Sequence, residues 1–167
     1  MLSARPGEGS HLLCHCADCA RAGALFGQDR PGPVAIFQTT ADRIRIETGQ
    51  DRLALMQLSP NGLFRWYAAC CDTQMFNTLK SPRTGFAGIV VARLADPAPL
   101  GPVIGEGFVP GPDGKTRHRH VTPTIWRFLK RSLAARLSGR WRQTPFFGAD
   151  GNPVAKARLA PRSEATR

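Results

Sequence analysis

The stretch Leu53-Ala54-Leu55-Met56-Gln57-Leu58-Ser59-Pro60-Asn61-Gly62-Leu63-Phe64-Arg65-Trp66-Tyr67-Ala68-Ala69 decides the fold class. Asn61-Gly62 lies between two runs of apolar and aromatic residues, and Asn-Gly readily takes the backbone angles of a tight hairpin. Strands are therefore predicted over 53–58 and 63–69, with the turn at 59–62. Working outward, Val34-Ala35-Ile36-Phe37 and Ile44-Arg45-Ile46 read as further strands between turn signals at 40–42 and 49–51, and 88–94 reads as another. Residues 11–13 form a short strand, 20–26 one or two helical turns ended by Gly27, and 29–33 a turn. The proline- and glycine-rich segment 97–112 reads as a loop or crossover.

One helix is well marked, near 122–138. Thr122 is a good N-cap and Pro123 suits the first helical position. Ile125, Phe128, Leu129, Leu133 and Leu137 recur at three- and four-residue spacing, which predicts an apolar face packed on the sheet. Arg127, Lys130, Arg131, Arg136 and Arg140 fall largely off that stripe, and Gly139 marks the end. The expectation is a mainly β protein of antiparallel strands with a C-terminal α-helix. Its single domain, 11–150, lies between a flexible leader, 1–10, and a basic flexible tail, 151–167, with Pro145-Phe146-Phe147 tucking back onto the core.

At 167 residues the chain is long enough to bury a sizeable core without disulfides. Its five cysteines are an odd number, the N-terminus has no signal-peptide pattern, and no apolar run is long enough to span a bilayer. These features predict a cytoplasmic location with reduced thiols. The net charge of +11 is uneven: residues 1–114 hold ten Lys/Arg and ten Asp/Glu, whereas 115–167 hold thirteen and two. A basic third of this kind marks either an anion-binding surface or a solvated face. Nucleic acid is an unlikely partner, because no recognition motif with interleaved aromatics appears. The sequence fixes no oligomeric state.

The chemistry centres on Cys14-His15-Cys16-Ala17-Asp18-Cys19. Three thiols within six residues converge only in a tight turn, and soft thiolates in that arrangement suit zinc. The competing reading, a redox couple of Cys16 and Cys19, lacks the surrounding βαβ pattern and leaves Cys14 unused. A fourth ligand from Cys71, or alternatively Cys70, would close the site and make it structural; otherwise the fourth position is open to a reacting group. Adjacent strand residues point to opposite faces, so only one of the two can reach the same ion. Cys70 and Cys71 can equally be buried core thiols beside Trp66 and Tyr67.

The pattern Cys14-His15-Cys16-x-x-Cys19-x-Arg21, followed by a hydrophobic strand into Cys71 and Thr73, resembles the glutathione-dependent formaldehyde-activating enzyme family, which includes centromere protein V. Arg65-Trp66-Tyr67-Ala68-Ala69-Cys70-Cys71-Asp72-Thr73 with Asn77-Thr78 looks more narrowly like an uncharacterised bacterial branch of that superfamily. The resemblance covers roughly residues 11–150. It implies a β-tent fold and a zinc held by Cys14, Cys16 and Cys19 that activates a glutathione thiol for attack on formaldehyde, a carbon–sulfur lyase type of chemistry. His15 would then relay a proton, or else point into solvent. The chain departs from the family at the second, structural zinc: no cysteine precedes Cys14, position 68 is alanine, and Asp72 stands where glycine is usual.

Other residues carry weaker signals. Arg21 and Arg65 are candidate contacts for the carboxylates of a small thiol or thiol adduct such as glutathione, surface solvation being the default for single arginines. Phe64, Trp66, Tyr67 and Phe76 read as core, and His118 and His120 as basic surface. Beside the enzyme stands a second expectation, a noncatalytic zinc-stabilised module whose basic C-terminal third contacts an anionic partner.

Overall fold

The computed structural model describes residues 8–28 and 31–161. Most of the expected leader, residues 29–30 of the expected turn, and the last six residues of the tail lie outside these ranges.

Nine strands form one mixed sheet: β1 (Ser10–Cys14), β2 (Val34–Thr40), β3 (Leu53–Gln57), β4 (Phe64–Ala68), β5 (Thr73–Thr78), β6 (Phe86–Val90), β7 (Gly105–Pro110), β8 (Thr116–Arg119) and β9 (Ala157–Leu159). Their order is β8-β7-β1-β2-β6-β5-β4-β3-β9. The helices are α1 (Ala17–Leu25) and α2 (Thr122–Leu137). The expected mainly β architecture with a helix towards the C-terminus holds. The sheet is not purely antiparallel, however, since β1 pairs parallel with β7, and β3 with β9.

The β3–β4 hairpin turns at Asn61-Gly62 as predicted, with the Gly62 amide donating to the Ser59 carbonyl over 2.9 Å. Ile44-Arg45-Ile46 pairs with no strand; Ile44 is buried in the core and Ile46 packs against it without ladder bonds. The segment 97–112, expected as a loop or crossover, contains β7, which its neighbours β1 and β8 hold in the sheet. The expected loose tail is corrected for its first part: β9 extends the sheet, and the Ala160 amide donates to the Gln57 carbonyl over 2.8 Å.

Register partners share a face of a sheet. Phe37, Ile89, Phe76 and Trp66 are successive partners across β2, β6, β5 and β4, and they point into the main core. Phe146 and Phe147 fold back onto them, with Phe146 fully buried 5.1 Å from the Trp66 ring. On the opposite face the partners are Ile36 with Val90, Gln38 with Gly88, Thr40 with Phe86, and Asn77 with both Gly88 and Arg65.

α2 lies on that opposite face, but of the stripe the sequence predicts only Phe128 meets the protein. The other contacts come from the far side of the helix. Phe128 meets Phe86 edge-on at 5.9 Å, Arg131 donates to Gln38 over 2.8 Å, and the Ser132 hydroxyl donates to the Thr84 carbonyl over 2.8 Å. Thr124 and Ala135 are the buried positions. Small side chains let the helix approach the sheet, and Gln38 and Thr84 offer polar partners that leucines could not use. Ile125, Leu129, Leu133 and Leu137 are therefore exposed.

Candidate metal centre

Cys14 is the last residue of β1, Cys16 is the N-cap of α1, and Cys19 lies in its first turn. The Cys16 sulfur accepts the Cys19 backbone N–H at 3.4 Å, doing the capping task of a serine or aspartate oxygen. A strand that ends at one sulfur and a helix that begins at the next bring all three thiols together, within 4.8 Å of one another. With zinc–sulfur bonds near 2.3 Å, tetrahedral sulfurs stand about 3.8 Å apart. The three thiols can thus hold a metal with small adjustments, and their softness suits zinc. Among the described residues no fourth Cys, His, Asp or Glu joins them.

Without metal, the trio shares its protons unequally. The Cys14 thiol, 3.2 Å from the Cys16 sulfur, and then Cys19 pull Cys16 down to about 2, with Arg65 adding a smaller electrostatic pull. Cys14 and Cys19 are pushed up by the same partnership and by burial. One thiolate cradled by two thiols is a nucleus onto which a cation can close.

Arg65, one of the two arginines singled out in the sequence, lines a cavity together with Cys19. It is 2% exposed, and its Nη1 donates to Asn77 Oδ1 over 3.2 Å, an oxygen that also accepts from Gln74 Nε2 at 2.6 Å. Among the described residues no carboxylate pairs with it, and its buried Nε has no partner. An ion without a partner is costly to bury. Arg65 lines a cavity of about 180 Å³ together with Cys19, Gln74, Asn77, Arg93 and apolar groups such as Ile36 and Val90. Among the described residues the lining contains two arginines and no acidic residue. The thiols are also reached from a shallower depression lined by Cys14, His15, Cys16 and Pro110.

His15 Nε2 lies 2.8 Å from Glu106 Oε2. Glu106 stands on β7, whose parallel pairing with β1 sets Leu13 beside Glu106 and Cys14 beside Gly107. The imidazole is thereby oriented next to the trio.

The other expected residues lie elsewhere. Arg21 points along α1 and donates to the Pro161 carbonyl over 2.7 Å, fastening the helix to the segment after β9 instead of lining the cavity. Cys70 and Cys71 occupy the β4–β5 turn, both exposed and outside the trio. In this structure they neither join the trio nor lie in the core, because β4 ends at Ala68 and leaves both in the exposed turn. Asp72 completes that turn at φ 47°, a left-handed value that a short polar side chain tolerates. Gln74 and Arg93 were not singled out from sequence, and Asn77 entered only through the resemblance, with no role at the site. The predicted strand through Arg65 held a usable signal for Asn77, since a hairpin turning at Cys70-Cys71 sets the two opposite each other.

The sequence of the family of unknown function DUF6151 matches residues 1–158. The chain belongs to that family. Comparison with curated proteins and with solved structures gave no match. DUF6151 proteins carry no assigned activity in the family's description, so the chemistry has to come from the site. No helix of the described residues is long and apolar enough to cross a membrane.

Proposed function

We propose that this DUF6151 protein is a zinc-dependent, carbon–sulfur lyase-like protein that handles the adduct of a small thiol, of glutathione type, with a small aldehyde. The observation that carries the reading is a group of three thiols that could hold a metal, with no fourth side-chain ligand among the described residues, beside a cavity lined by a buried arginine that pairs with no described carboxylate. The likeness of Cys14-His15-Cys16-x-x-Cys19 to the formaldehyde-activating family points the same way.

Cys14, Cys16 and Cys19 would hold the zinc, which when bound supplies a Lewis acid that favours the deprotonated form of an incoming thiol. In the adduct-forming direction a carbon–sulfur bond forms at the aldehyde carbon and the carbonyl π bond breaks. The proton lost by the thiol ends on the former carbonyl oxygen, so no oxidant or reductant is needed. His15, held by Glu106, would move that proton. Arg65, with Asn77 and Gln74, would bind a carboxylate of the thiol, and Arg93 adds positive charge at the cavity wall. The apolar lining excludes water from the remainder of the ligand.

The test is exchange spectroscopy on the zinc-loaded chain with glutathione and ¹³C-formaldehyde. Faster interconversion of free and adduct carbon, lost in Cys16→Ser, is the expected result. A chain that holds zinc yet leaves the exchange at its uncatalysed rate would overturn the proposal.

A second reading, a noncatalytic zinc-stabilised module with an anionic partner, is favoured by one observation. The basic residues Arg127, Lys130 and Arg136 of α2 are exposed, with no acidic residue on the helix.

A further inference from the structure

α2 presents its apolar stripe to solvent. Ile125 is 51% exposed, Trp126 62%, Leu129 47%, Leu133 57% and Leu137 80%. At about 100° per residue these five side chains fall within an arc of about 120°, opposite Thr124 and Ala135, which face the sheet. The stripe runs along a 16-residue helix about 24 Å long. Isolated exposed leucines are ordinary, whereas a continuous stripe of five large apolar groups marks a surface that something covers.

Charge identifies the cover. Arg136 lies within the same arc, Lys130 about 20° past its edge and Arg127 about 80° past it, all exposed, and residues 122–137 contain no Asp or Glu. A second copy of the chain placed face to face would set these cations against their own counterparts. Nucleic acid would match the charge but leave the leucines wet. An anionic bilayer surface matches both: acyl chains and the headgroup boundary take the leucines and Trp126, while anionic headgroups take the arginines and lysine. The helix's length and basic flanks suit lying in the interface, not crossing it.

We infer that α2 is a membrane-surface docking helix for anionic lipid, with Ile125, Trp126, Leu129, Leu133 and Leu137 inserted and Lys130 and Arg136 at the headgroups. This deepens the second reading above by naming the partner, and it is independent of the metal centre.

The test is co-sedimentation of the full chain with vesicles of phosphatidylglycerol mixed into phosphatidylcholine, against vesicles of phosphatidylcholine alone. Binding to the anionic vesicles that weakens as salt rises is expected. Leu129→Glu with Leu133→Glu should lower it at least tenfold, and so should Lys130→Glu with Arg136→Glu. All four positions are exposed, and circular dichroism and thermal melting of each variant keep a folding defect distinguishable. Three results would overturn the inference: no binding to either vesicle, anionic binding that the leucine variant leaves intact, or a dimer that the leucine variant dissociates while vesicles bind nothing. Salt-sensitive binding to a DNA duplex without vesicle binding would also overturn it, while leaving the broader anionic-partner reading in place.

Discussion

Arg65 and Asn77 are direct register partners on β4 and β5, and the Arg65 guanidinium donates to the Asn77 amide oxygen over 3.2 Å inside the sheet's covered face. Strand pairing thus fixes a buried cation beside three thiols. In a metal-loaded trio, three thiolates and one divalent ion leave one negative charge, which Arg65 offsets without a carboxylate.

Arg65→Met should therefore separate ligand binding from folding. Replacing a buried ion by an apolar side chain of similar length is often close to neutral for stability. The expected outcome is an unchanged zinc content and melting temperature. The KM for a carboxylate-bearing thiol should rise about ten- to a hundredfold, as for loss of a charged hydrogen bond. A neutral thiol such as 2-mercaptoethanol should be unaffected. Steady-state kinetics with the two thiols checks this.

Stability should follow the structure and not the hydrophobic pattern of the sequence. Phe146 is fully buried against Trp66 and Phe76, so Phe146→Ala should cost about 3–5 kcal/mol. Leu133→Ala, on the exposed stripe, should change stability by no more than about 0.5 kcal/mol. Urea unfolding of the two variants checks the contrast.

Thiol reactivity should divide the five cysteines into two groups. Thr73, 3.2 Å from the Cys71 sulfur, and then Cys70 lower the Cys71 thiol below its ordinary value, whereas Cys71 raises Cys70. The thiolate is the reactive form, so at neutral pH a lowered thiol alkylates sooner. In the zinc-loaded chain iodoacetamide should label Cys71 first, Cys70 next, and the trio last. Thr73→Val should slow Cys71. Peptide mapping by mass spectrometry over time checks the order, and zinc protection of Cys71 would show that it reaches the metal.

Much of this was legible in the residues. Asn61-Gly62 located its hairpin, the cysteine spacing located the trio, and the period of 122–138 located α2 within a residue of its end. What escaped depends on partners distant in sequence. The strand β7 is built from Gly105, Gly107 and Pro110, poor strand formers held in place by β1 and β8, and β9 is three residues held by β3. Periodicity also reports that a helix has an apolar face without saying which face meets the protein. In α2 it is Ala135, Ser132 and Arg131 that fit Gln38 and Thr84. For Arg65 the sequence leaves an anion contact and surface solvation both open, because nothing within β4 itself signals that this side chain is buried.

The most direct test is zinc-edge X-ray absorption of the zinc-loaded chain, before and after addition of glutathione. Three sulfurs near 2.3 Å with one nitrogen or oxygen near 2.0 Å, changing to four sulfurs with the thiol, is the expected result. Four sulfurs already present without added thiol, and unaltered by it, would contradict an open site on Cys14, Cys16 and Cys19.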